Sequence, residues 1–196
     1  MIAFNVIIDD YSELRRLYDF RGFKNLKSLR YNRAKFEQGL KCIGITDVRH
    51  LTNPSFPEFL ESMDDLEAEC NRNHEAGERT FVLFQYGGHG LQDNFTYAMC
   101  STIERKKIAF PIEKKARDLA EVPSCYVVAL FNCYREKMTV DEVKKGKIVK
   151  VDDHGDGMLV EEEDLSVMNA RDLIIVFGCP PYSQTSADST LSVNWF

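Results

Sequence analysis

The sequence predicts an α/β fold, a three-layer sandwich with a mostly parallel central sheet. Three apolar runs carry the prediction: residues 80–86, 125–131 and 172–177. Each is rich in Val, Ile, Leu or Phe and lacks the polar alternation of a half-exposed strand, so each suits a sheet covered on both faces. Segments with helical spacing lie between them, and such alternation implies parallel strands joined by crossover helices. At 196 residues, 44% hydrophobic with 13 Phe, the chain has enough apolar material for one domain, or one domain with a small appendage.

The elements follow in order. Residues 2–8 form a short apolar strand that Asp9-Asp10 ends, and 11–33 read as a loop with some helix because no clean period runs through them. Residues 34–42 look helical and stop at Gly44, and 47–51 make a brief strand from which Asn53-Pro54 turns away. Ser55-Phe56-Pro57-Glu58 is a helix start: Ser55 caps, Glu58 three residues on completes a capping box, and Pro57 fits the first turn. Phe59, Met63, Leu66 and Cys70 then share one helical face, with Asp64, Asp65, Glu67 and Glu69 toward water, until Gly77. After the strand from Thr80, residues 94–100 and 107–110 suit a hairpin, and a helix runs from Pro111 through Ala116, Leu119 and Ala120 to Pro123.

The net charge of −6, with acidic residues crowded at 152–164, argues against nucleic acid, which needs a basic face. No apolar run approaches the roughly 20 residues that span a bilayer, so no membrane partner is expected. The N-terminal run lacks a basic flank and meets Asp9-Asp10, unlike a signal peptide. Cys42, Cys70, Cys100, Cys125, Cys133 and Cys179 show no CxxC spacing and mostly sit in apolar surroundings, as reduced core thiols do. A reducing, cytoplasmic location is expected, and no cofactor is called for.

The chemistry gathers where strands end. The run from Thr80 enters Tyr86-Gly87-Gly88-His89-Gly90, whose glycines are expected to turn the backbone sharply and leave one imidazole at the strand's C-terminal edge. In open α/β sheets that edge is where ligands and catalytic groups collect. The next long run enters Asn132-Cys133-Tyr134-Arg135, and the last enters Gly178-Cys179 and then Gln184-Thr185-Ser186-Ala187-Asp188. Parallel strands bring all three ends to one edge, so His89 and the Cys133 region meet there. An imidazole that takes a thiol proton, with the thiolate then attacking a carbonyl, is the minimal apparatus of a thiol hydrolase.

With these three motifs the chain resembles the caspase-like clan of cysteine peptidases, metacaspases in particular, over roughly residues 2–188. The family's histidine motif, aromatic-small-Gly-His-Gly, is matched by Tyr86 to Gly90, and its Gly-Cys-x-x-x-Gln-Thr-Ser-Ala-Asp segment by Gly178-Cys179 and Gln184 to Asp188. The resemblance implies a catalytic His89, a nucleophile after the following strand, and a substrate pocket drawn from Asn132, Arg135, Gln184, Ser186 and Asp188.

The departures alter that expectation. The family places Asp or Gln two positions before its nucleophile and His or Arg after it. Around Cys133 those neighbours are Phe131 and Tyr134, and neither fits; around position 134 they are Asn132 and Arg135, and both nearly fit. In the second register Tyr134 stands where the reactive thiol belongs, and a phenol titrating near 10 is a poor nucleophile at neutral pH. The acidic groups that would hold a basic side chain are replaced as well, by Asn132 and within Pro180-Pro181-Tyr182-Ser183. A neutral pocket forfeits the bidentate guanidinium–carboxylate contact.

The remaining chain divides as a large-subunit-like part (1–135), a charged and acidic linker (136–171) and an abbreviated small-subunit-like part (172–196). In the linker, Asp152, Asp156 and Glu163 echo a calcium loop, but position three is His154 and position nine Val160, so a solvated linker is the better account and no metal is expected. Lys144, Lys145 and Lys147 are potential cleavage points or simply wet surface. The short stretch after Asp188 leads to the expectation that another chain, or a second copy as a homodimer, covers the sheet edge and the apolar end Val193-Asn194-Trp195-Phe196. Two functions stand side by side: a pseudopeptidase acting as a protein–protein scaffold or assembly subunit, and an active endopeptidase with a His89/Cys133 dyad.

Overall fold

The structure, a computed structural model, describes residues 1–18, 24–92, 95–104, 107–137 and 172–178. Its elements run β1 (Ile2–Ile7), α1 (Ser12–Tyr18), α2 (Leu29–Cys42), β2 (Asp47–Thr52), α3 (Phe56–Glu75), β3 (Thr80–Gln92), β4 (Thr96–Glu104), β5 (Lys107–Phe110), α4 (Ile112–Glu121), β6 (Cys125–Lys137) and β7 (Leu173–Phe177). The strands form one seven-stranded sheet. Its body is parallel in the order β2-β1-β3-β6-β7. Where β1 runs out beside Gly87, antiparallel β4 takes its place along Gly90–Gln92, and β5 pairs with β4 in turn.

Side-chain alternation sorts this sheet into two faces. Val82, Phe84 and Tyr86 of β3, level with Val127, Ala129 and Phe131 of β6, belong to the main core with Phe59, Met63, Leu66 and Cys70 of α3 and Ile112, Ala116 and Leu119 of α4. Phe59 stacks on Phe110 with ring centroids 4.0 Å apart, which fastens α3 to the β4–β5 hairpin. On the other face α2 lays Leu40 and Phe36 over Ala3, Val48 and Leu83. The expected three-layer α/β sandwich with a mostly parallel sheet is therefore the fold.

Local chemistry explains most boundaries. Ser55 Oγ accepts from the Glu58 amide and the Glu58 carboxylate accepts from the Ser55 amide, the capping box its sequence predicts. Gly44 and Gly77, both with positive φ, end α2 and α3 as C-terminal glycines do. Asn53, also at positive φ, turns the chain from β2 into α3.

Four expectations need correction. Helix α2 begins at Leu29 rather than 34, because tertiary packing of Leu29 extends it beyond the amphipathic stretch. Strand β3 does not turn at Gly87–Gly90: it continues to Gln92, because β6 accompanies it along its whole length. Strand β6 likewise carries Asn132 to Lys137 within the ladder, so Glu136 and Lys137 belong to the sheet and not to the linker. Strand β7 is half-buried on one face, where Leu173, Ile175 and Phe177 pack on the core, and open on the other, with Ile174 60% and Val176 39% exposed. The linker from 138 to 171 and the segment from 179 to 196 lie outside the described residues.

Candidate active site

His89 lies on β3 just past the level at which β1 ends beside Gly87, next to Tyr134 of β6, and is 6% exposed. Its Nε2 donates to the Lys24 carbonyl at 2.8 Å. A carbonyl only accepts, so in the neutral ring Nε2 carries the hydrogen and Nδ1 carries the lone pair. The Tyr11 ring meets the imidazole edge-on at 4.7 Å between centroids.

The backbone of His89 is held by two phenols. Its amide donates to the Tyr11 hydroxyl at 2.7 Å, and its carbonyl accepts from the Tyr86 hydroxyl at 2.6 Å. The two hydroxyls also bond to each other. Because Tyr86 gives its proton to the His89 carbonyl, Tyr11 is the donor in that phenol pair, and a closed ring of donors and acceptors results. Burial pushes both phenols well above their ordinary value, so both stay protonated at neutral pH. Gly88 makes room for the ring: a Cβ there would stand 2.7 Å from the Tyr11 hydroxyl and closer still to that of Tyr86. The glycine of this motif serves close approach, not a turn.

Cys133 is the level partner of Gly88 on β6, and Tyr134 is the level partner of His89. Level partners share a face and successive residues alternate, so the Cys133 side chain lies on the sheet face opposite to that of His89. It is 2% exposed and packs in the main core, where its charge would act on both Tyr11 and Tyr86. Asn132 is buried beside Gly178, whose Cβ position is 2.9 Å from Asn132 Oδ1, and Arg135 is level with Gly90. The other candidates, Gln184, Ser186, Asp188 and the calcium-loop residues Asp152, Asp156 and Glu163, lie outside the described residues. Among the described residues no group of three His, Cys, Asp or Glu is placed to hold a metal ion.

The family model of the caspase domain matches residues 14–196. The chain belongs to the caspase family. No curated protein matches it. Tyr11 and Lys24 are absent from the sequence candidates although both touch His89. Tyr11 follows β1 after Ile8, Asp9 and Asp10, on the same sheet edge, and that placement is the signal that points to it. Lys24 contributes only a carbonyl, which any residue type supplies and no motif marks. Among the described residues no helix is long and apolar enough to cross a membrane.

Burial, its largest influence, holds the His89 imidazole below its ordinary value; the Lys24 carbonyl works against that and the Arg15 charge reinforces it. His50 is lowered too, first by burial and then by Arg33. A histidine with a depressed folded value gives its full stability above its unfolded value of about 6.5 and loses it as pH falls from there through the folded value. Unfolding free energy is accordingly expected to fall as pH drops below about 6.5, by at most about 1.4 kcal/mol per unit for each histidine. The lowered carboxyls of Asp10, Glu37 and Glu69 lose their contribution only at more acidic pH, so the windows separate. Urea titrations of the wild type and His89→Gln measure this: the variant's stability is expected to depend less on pH, and equal slopes would refute the assignment.

Proposed function

We propose that this caspase domain is a pseudopeptidase that works as a protein–protein scaffold or assembly subunit. The observation that carries the reading is the ladder register of β3 and β6, in which His89 is level with Tyr134 while Cys133 is level with Gly88. By strand alternation a thiol level with Gly88 belongs to the main core and to the sheet face opposite that of the imidazole, which argues against a direct dyad. The neutral Asn132 in place of a pocket carboxylate points the same way. Binding through the sheet fits the exposure of Ile174 and Val176 on β7, and another chain or a second copy is the proposed partner. The free cysteines suit a reducing, cytoplasmic setting.

The second reading, an active endopeptidase with a His89/Cys133 dyad, draws on the imidazole itself. Its tautomer is set by the Lys24 carbonyl, and burial lowers its proton affinity. The test separates the two. Purified wild-type protein is expected to turn over no peptide with Arg, Lys or Asp before the scissile bond. Tyr134→Cys is expected to gain rapid labelling by a peptide chloromethyl ketone, while Cys133 stays slow. Wild-type turnover that Cys133→Ala abolishes would sink the pseudopeptidase reading and establish the second.

A further inference from the structure

A row of polar side chains crosses the sheet beneath α2. His50 of β2, Asn5 of β1 and Gln85 of β3 are level partners in two parallel ladders, so all three share the face on which α2 packs. Asn5 is 1% exposed and Gln85 is half-buried. Asn5 Nδ2 stands 3.2 Å from His50 Nδ1. An amide nitrogen only donates, so Nδ1 accepts and the neutral ring carries its hydrogen on Nε2. That nitrogen lies 2.6 Å from Glu37 Oε1 of α2, out of line for a hydrogen bond. With the donor end of the Asn5 amide turned to β2, its oxygen is left without a donor among the described residues. So is Gln85 Oε1 on the next strand, and both atoms are buried.

We propose that this row is a proton-operated relay, in which a second proton on His50 makes the Asn5 side-chain amide turn end for end. Protonated His50 has no lone pair to offer, so Asn5 Nδ2 would face an N–H, donor against donor. Reversal puts Asn5 Oδ1 toward the His50 Nδ1 hydrogen and Asn5 Nδ2 toward Gln85 Oε1. Level residues on neighbouring strands lie about 4.8 Å apart, the spacing at which side-chain amides join into hydrogen-bonded ladders. The acid form thus supplies a donor to each of the two acceptors that the neutral form leaves without one, and a buried carbonyl lacking a donor is the costlier arrangement. The only chemical change is the gain of one proton from water; every other step is a rotation. β2 is the outer strand of the described sheet and the His50 side chain keeps 11% exposure, so the ring meets water.

The charges around the ring come from one helix. Glu37 and Arg33 of α2, joined at 3.1 Å, both act on His50, and Lys41 one turn on acts on Glu37. β1 contributes only the uncharged Asn5. Asp47 and Arg49 of β2 alternate to the other face, where Arg49 pairs with Glu69. Burial, the largest influence, and Arg33 oppose the charged ring while Glu37 favours it, so the relay operates on the acid side of about 6.5. On β3, Gln85, Gly87 and His89 alternate onto one face, so the relay runs from the outer strand to the strand that carries the motif histidine.

Side-chain NMR of the isotope-labelled full chain, taken from neutral to mildly acidic pH, tests the relay. The neutral His50 ring is expected to carry its hydrogen on Nε2. As the ring takes its second proton, the Asn5 and Gln85 side-chain amide signals are expected to move with the same midpoint. The Asn5 Nδ2 hydrogens then exchange their nuclear Overhauser contacts with the His50 ring for contacts with Gln85. Gln85→Leu removes the acceptor for the reversed amide and is expected to lower the His50 midpoint by about half a pH unit, while that of His89 stays in place. His50 titrating with the Asn5 and Gln85 signals unmoved would overturn the proposal, as would an unchanged His50 midpoint in folded Gln85→Leu. A ring that stays neutral until the protein unfolds would overturn it too. The wild-type titration decides the matter even where the variant fails to fold.

Discussion

Gly88→Ala is expected to lower the unfolding free energy by roughly 3 kcal/mol, the sum of an overpacking penalty and a broken buried hydrogen bond. The new methyl would stand 2.7 Å from the Tyr11 hydroxyl, 2.8 Å from Tyr86 Cζ and nearer still to the Tyr86 hydroxyl. None of these atoms has somewhere to go: both rings are fully buried, and both hydroxyls are committed to the His89 backbone. Relief by rotating either phenol leaves a hydroxyl or the His89 carbonyl unpaired in a dry interior. Urea unfolding measures the loss. Tyr86→Phe in the Gly88→Ala background is expected to restore part of it, by about 1 kcal/mol more than additivity allows, because the substitution removes the atom the methyl strikes. A Gly88→Ala variant within about 0.5 kcal/mol of wild type would show that the crowding does not exist.

Asn53→Ala is expected to cost a similar amount, roughly 3 kcal/mol, for different reasons. Asn53 Oδ1 accepts from the amides of Asp9 at 2.8 Å and Asp10 at 3.1 Å, and its Nδ2 donates to Asp9 Oδ1 at 2.9 Å. Asp9 is 1% exposed, so its carboxylate loses a donor it cannot replace with bulk water. Asn53 also holds a φ of 50°, which Asn tolerates and Ala resists. Asn53→Gly separates the two causes: it forfeits the same bonds without the strain, so it is expected to be about 1 kcal/mol less damaging than Asn53→Ala. Equal losses from the two variants would remove the backbone part of the account. Because Asp9 and Asp10 lead directly to Tyr11, Asn53→Ala is also expected to loosen the support of His89.

The helices and the interior strands were legible because burial leaves periodic marks. The capping box at Ser55 and Glu58 rests on a local exchange of hydrogen bonds, so the residues alone specify it. The inner face of α3 is equally local in its code, since spacing puts Phe59, Met63, Leu66 and Cys70 on one side wherever the helix goes. The glycines after Tyr86 were misread as a turn because a glycine in a sequence looks alike whether it supplies a positive φ or an absent Cβ. Only the neighbouring strand and two phenols distinguish the cases. The half-open face of β7 was hidden for a related reason: an apolar run states a preference for burial, and cannot state what covers it.

By itself the sequence determined the α/β class, the helix caps and the motif histidine, all of which depend on residues near one another in the chain. The tertiary structure alone decided which face each strand residue occupies at the sheet edge. Register is a relation between two strands, and a slip of one residue exchanges every side chain between core and far face. In this caspase domain that relation sets His89 level with Tyr134 and Cys133 level with Gly88.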